Sequence, residues 1–198
     1  LLIDNRLTFK EHIQEKTKKA TTVLNMLRRN LFSAPKKVKC KAFQSCVLPI
    51  IEYGSICWAP TSKKLTDNLE MILHNGAKFV TNKYPRKGRY EEFSISKILE
   101  DSIEQRRMKA RLIMAFKIIN NYTILESDML PKITNQRPER SCKGVKVGVA
   151  NQLYERKSRL DVSSSTFFYA TPIIWNSNIT PRHATSKSVE AFKNYFKK

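Results

Sequence analysis

The chain has 198 residues, 41% of them hydrophobic, with only 5 glycines and 8 prolines, so it can bury a real core as one domain or one domain with an appendage. Its 37 lysines and arginines against 17 acidic residues give a net charge of +20, spread as +7 over residues 1–60, +6 over 61–121 and +7 over 122–198. No apolar run approaches the roughly 20 residues of a membrane span, there is no signal-peptide pattern, and Cys40, Cys46, Cys57 and Cys142 contain no Cys-x-x-Cys pair and no zinc spacing to His12, His74 or His183.

The four cysteines therefore read as reduced thiols of an intracellular protein, nuclear or cytoplasmic. The charge favours a polyanionic partner, because contacts to phosphates release counterions. An acidic protein partner, or a basic surface that is merely solvated, is the alternative.

In chain order, residues 1–7 read as the end of a short strand followed by a turn at Asp4-Asn5-Arg6. Thr8 and Glu11 have the spacing of a capping box, and Phe9, Ile13, Ala20, Leu24, Leu27 and Leu31 then trace one helical face. Lys10, Lys16, Lys18, Lys19, Arg28 and Arg29 lie on the other faces, where they are either solvated or track a row of phosphates. Ser33 as N-cap and Pro35 in the first turn predict a second helix from about residue 35. Its apolar residues run Ala42, Phe43, Cys46, Val47, Ile50 and Ile51, and Pro49 should bend or end it because proline lacks the N–H. An aromatic turn through Tyr53, Gly54, Trp58 and Pro60 follows, with Trp58 expected in the core.

Thr61 or Ser62 should cap a third helix carrying Leu65, Leu69, Ile72, Leu73, Ala77 and Val80, locally softened by Gly76. The loop 82–90 interleaves Tyr84 and Tyr90 with Lys83, Arg86, Lys87 and Arg89, as a surface that stacks bases and holds phosphates would; the same tyrosines could also pack on the core. Ser94 or Ser96 offers a cap for a short helix to Leu99, and Ser102 with Gln105 a second capping box for a long helix through Asn120. On that helix Arg106, Arg107 and Arg111 either bridge to Glu104, Asp101 or Glu100 or contact phosphate. Residues 122–150 read as a mobile basic linker, 151–198 as an extension with strand-like segments at Leu153, Tyr154, Leu160, Val162 and Phe167-Phe168-Tyr169, closed by a helix over about 186–196.

Several of these stretches resemble, in order, the region after the palm of reverse transcriptases from non-LTR retrotransposons, the jockey-like LINE elements in particular. They are Asp4 with Leu7-Thr8-Phe9-Lys10-Glu11-His12-Ile13, then Ala42-Phe43, Val47-Leu48-Pro49-Ile50-Ile51-Glu52-Tyr53-Gly54 and Trp58-Ala59-Pro60. Leu69-Glu70 and Ala77-Lys78-Phe79-Val80 match loosely, as does Met129-Leu130-Pro131. Ile103 to Leu112 with Phe116-Lys117-Ile118-Ile119-Asn120, and Phe167-Phe168 six residues before Trp175-Asn176, match closely.

The resemblance implies a mainly α fold: a strand end at 1–7, a thumb-like helical bundle over 8–121, then the linker and the C-terminal extension. It implies palm and fingers upstream, and with Leu at position 1 the chain reads as a piece of a longer protein or a reading frame decayed at its start. The family's catalytic aspartate pair, which holds two metal ions, lies on a hairpin before this region, and this chain has no Asp-Asp pair. No cofactor is expected here, Mg2+ only in the palm, and the chain alone should not polymerise. The expected partners are RNA and RNA–DNA hybrid, held by their phosphates through Lys16, Lys19, Arg28, Arg29, Lys83, Tyr84, Arg86, Lys87, Arg89, Arg106, Arg107 and Arg111. The reading from a different class is a host protein-interaction module on the same bundle, without nucleic acid.

Overall fold

The computed structural model describes residues 1–60, 62–83, 101–123, 152–155 and 165–196. The fold is mainly helical, as expected, and no strand of a sheet occurs among the described residues. The chain forms two compact units, Leu1–Arg107 and Met108–Lys198.

The first unit holds α1 (Lys10–Asn30), α2 (Lys36–Cys46), α3 (Leu48–Glu52), α4 (Lys63–Thr81) and the start of α5 (Ile103–Ile119). No strand forms over residues 1–7, but the expected turn at Asp4-Asn5-Arg6 does, built on one carboxylate. Asp4 Oδ1 accepts the N–H groups of Arg6 and Thr8, both at 2.9 Å, and Oδ2 accepts the Thr8 hydroxyl at 2.6 Å. These bonds hold the Asp4 carboxyl below its usual pKa, the Thr8 hydroxyl first among them. They also cancel the expected Thr8–Glu11 capping box: the hydroxyl that would cap α1 is taken by a charged acceptor, and Phe9 becomes the N-cap in the left-handed region with no side-chain cap.

The apolar face of α1 is the one the spacing predicts. Ile13, Ala20, Leu24 and Leu27 are buried, with Phe9 and Leu31 packed at the edges. Pro35, not Ser33, is the N-cap of α2. The helix breaks at Val47, leaving Pro49 in the first turn of α3, where its missing N–H costs no bond. Gly54 then takes φ 67°, a conformation that favours glycine, and the chain turns back to bury Trp58. Ser62 starts α4 without a side-chain cap, and Asn82 ends it in the left-handed region. Helix α4 lies against both α1 and α2, and α3 against α1 and α2. Gly76 on α4 lies directly beneath the Phe43 ring of α2, so its role is close approach between helices and not local softening.

The Ser102–Gln105 capping box forms in both directions: Ser102 N–H donates to Gln105 Oε1 at 2.9 Å and Gln105 N–H to Ser102 Oγ at 3.2 Å. Glu70 on α4 adds a third cap, accepting the Ile103 N–H at 3.1 Å.

In the second unit, Leu112, Ala115 and Phe116 of α5 pack with Leu153 and with α6 (Phe167–Asn178), α7 (Pro181–Ala184) and α8 (Val189–Asn194). Phe116 and Trp175 both stack on Phe192, at 4.3 and 5.8 Å between centroids. Phe167-Phe168-Tyr169, expected in a strand, are the first turn of α6. Their aromatic β preference yields to packing, with Phe167 and Trp175 against the α5 face. Ser188 caps α8 by accepting the Ala191 N–H at 3.1 Å, so the last helix begins later than expected.

Candidate nucleic-acid interface

The turn between α1 and α2 is organised by a buried cation. Lys39 is 1% exposed, and its ammonium donates to the Phe32 carbonyl and to Asn82 Oδ1, both at 2.8 Å, while lying 5.7 Å from the Phe79 ring centroid. Phe32 follows the C-terminus of α1 and Asn82 is the C-cap of α4. One buried charge therefore answers the negative ends of two helices and ties both to α2. Arg28 makes a second tie, from its Nη2 to the Asn75 carbonyl of α4 at 3.0 Å.

The helices joined by this tie carry many exposed cations. Lys18, Lys19 and Arg29 on α1, Lys36, Lys37 and Lys41 on α2, and Lys83 just after α4 are all exposed. From Lys16 to Ile51 the chain carries no acidic residue at all. Lys36, Lys37 and Lys41 were not among the residues singled out from the sequence. That acid-free run between Glu15 and Glu52 is the signal that finds them.

A different cluster surrounds Trp58. Its Nε1–H donates to the Tyr53 carbonyl at 3.0 Å, the edge of His12 meets its face at 5.4 Å, and the Arg107 guanidinium lies 5.1 Å from its ring centroid. His12 Nδ1 accepts the Leu2 N–H at 3.3 Å, which puts the proton of the neutral ring on Nε2, a buried atom with no hydrogen-bond partner. Burial, and then the nearby Lys16, hold the imidazole below its ordinary pKa. Arg106 pairs with Glu52 at the end of α3. Glu70, near His74 and Arg107, is pushed above the ordinary carboxyl range chiefly by burial.

The residues expected to touch nucleic acid therefore divide. Lys19, Arg29 and Lys83 are exposed. Lys16 is half-buried with its ammonium over the Tyr53 ring at 5.5 Å, and Arg28 is tied to α4. The three arginines of α5 are turned to the protein. Arg106 bridges to Glu52, Arg107 covers Trp58, and Arg111, 5% exposed, donates to the Ser165 carbonyl at 2.9 Å. Tyr84, Arg86, Lys87 and Arg89 lie outside the described residues, as do the short helix expected before Leu99 and the linker over 124–150.

Among the described residues no three His, Cys, Asp or Glu side chains come together as metal ligands, no helix is long and apolar enough to cross a membrane, and Cys40, Cys46 and Cys57 form no disulfide.

No family model, curated protein or solved structure matches the chain.

Proposed function

We propose that this chain is the non-catalytic, helical C-terminal part of a retrotransposon RNA-directed DNA polymerase, and that it holds RNA or an RNA–DNA hybrid by the sugar-phosphate backbone. The observation that carries the reading is the acid-free run from Lys16 to Ile51, which covers most of α1 and all of α2 and in which Lys18, Lys19, Arg29, Lys36, Lys37 and Lys41 stand in solvent. Exposed cations in excess over carboxylates attract phosphates and read no sequence. A hybrid close to A-form offers them its backbone and shape. The order of the reverse-transcriptase-like stretches along the chain supports the same reading.

Of the residues expected to hold phosphate, Arg106, Arg107 and Arg111 have protein partners, so the proposal rests on the cations of α1 and α2. Nucleotidyl transfer, with its Mg2+, belongs to the palm that the resemblance places upstream, and no residue here is assigned to it. The test is a titration of the chain with an RNA–DNA hybrid over a range of salt. Affinity should fall steeply with salt and change little between sequences. Binding that ignores salt, or none at all, would overturn the proposal, and a pull-down recovering protein without nucleic acid would favour an interaction module instead.

A further inference from the structure

Phe32 is the most exposed large apolar side chain among the described residues, at 75%. It is not at a frayed end. Its carbonyl is held by the buried Lys39 ammonium at 2.8 Å, and the turn around it is closed by Leu31 N–H to the Leu27 carbonyl at 2.8 Å and Ala34 N–H to the Leu31 carbonyl at 3.1 Å. The backbone is thus pinned from inside while the ring stands outside. The exposed cations Arg29, Lys36 and Lys37 flank it in the chain, and Lys83 follows Asn82, which shares the Lys39 ammonium with Phe32.

From this arrangement we infer that Phe32 is a stacking platform for an unpaired nucleotide base, with Arg29, Lys36, Lys37 and Lys83 receiving the phosphates on either side. The inference rests on the proposed phosphate grip and extends it from backbone to base. An aromatic face is recognised by any base, so the contact needs no sequence, but it needs a face that is not already stacked within a duplex. The partner it fits is therefore a single strand, RNA or DNA, or an unpaired overhang, and not the body of a duplex. An apolar protein segment would use the ring, but the cations that flank Phe32 in the chain would then require that segment to be acidic as well.

The experiment uses the full chain and two probes, a mixed-sequence single strand of about 12 nucleotides, made as RNA and as DNA, and a blunt RNA–DNA hybrid of the same length. Phe32→Ala should weaken single-strand binding about 5- to 150-fold, the range that base–aromatic stacking carries, and leave the hybrid within about twofold. Phe32→Trp should keep single-strand affinity and show quenched emission on binding. Because the ring is exposed and the pinned group is a carbonyl, Phe32→Ala should melt at the wild-type temperature, which separates a lost contact from a lost fold.

Wild-type binding to both probes with no change in Phe32→Ala overturns this inference and leaves the phosphate grip standing. Equal loss on both probes also overturns it. Failure of the wild type to bind either probe overturns both readings. An acidic, phenylalanine-containing peptide that binds through Phe32 while single-strand affinity is unchanged in the variant overturns it in favour of a protein partner.

Discussion

The Phe43 ring lies so close over Gly76 that a Cβ built on that glycine would stand 2.3 Å from both Cε2 and Cζ. Real carbon atoms do not approach to that distance, and Phe43 is fully buried. Helix propensity alone favours alanine at position 76 by about 1 kcal/mol, whereas overpacking costs about 1–3 kcal/mol. Gly76→Ala should therefore be destabilising overall in urea unfolding followed by circular dichroism. Adding Phe43→Leu should recover part of the loss, and strictly additive effects of the two changes would show that the ring and the glycine are not coupled.

The proposed phosphate contacts predict a change in salt dependence and not only in affinity. Replacing Arg29, Lys36 and Lys37 together by alanine should lower the slope of log K against log salt by roughly 2–3, since each phosphate contact contributes about 0.7–0.9. Arg106→Gln should leave the slope as it is, because its guanidinium is committed to Glu52. An unchanged slope in the triple variant would place the contact on another surface.

One buried and one half-buried titratable group bias stability in opposite directions. His12 has its pKa lowered from the ordinary 6.5, first by burial and then by Lys16, so its contribution is full above 6.5 and is lost as pH falls through the depressed value. The stability advantage of wild type over His12→Gln should shrink below pH 6.5. Glu70 is raised from the ordinary 4.5, first by burial, so its contribution is present below 4.5 and is lost as pH rises through the elevated value. Glu70→Gln should gain on wild type over that upper range. Unfolding curves collected across pH 4–8 check both, and parallel curves for either variant would refute its assignment.

Asn176 predicts a chemical asymmetry. Its Oδ1 accepts the Leu153 N–H and its Nδ2 donates to the Leu153 carbonyl, both at 2.9 Å, so one side chain serves a backbone segment as a neighbouring strand would. Nδ2 also donates to Glu155 at 2.8 Å. Asn176→Asp keeps the shape but faces two oxygens with a carboxylate. It should cost about 1–3 kcal/mol and release hydrogen-exchange protection at Leu153. Equal protection in the variant and the wild type would rule this pairing out.

Features set by neighbours in the chain could be read from the sequence. The apolar face of α1, the break before Pro49, the reciprocal Ser102–Gln105 cap and the burial of Trp58 all follow from spacing of a few residues. Features set by distant partners could not. Arg106 finds Glu52 across 54 positions, while the acids expected for it stand within six. The Thr8 hydroxyl had two acceptable roles, and the Asp4 carboxylate outcompetes the cap because a charged acceptor bonds more strongly. Phe167-Phe168-Tyr169 carry strand-forming rings, yet burial against α5 decides for helix. On the candidate surface, counting cations alone hid the more telling fact, the absence of acids between Glu15 and Glu52.

The seclusion of the Lys39 amine gives the first unit a built-in clock. Most lysines around it are exposed, so an acylating reagent would label those at once, while Lys39 would react only during the moments when α1, α2 and α4 part. Its labelling rate, read peptide by peptide, would time the opening of the bundle without any added probe.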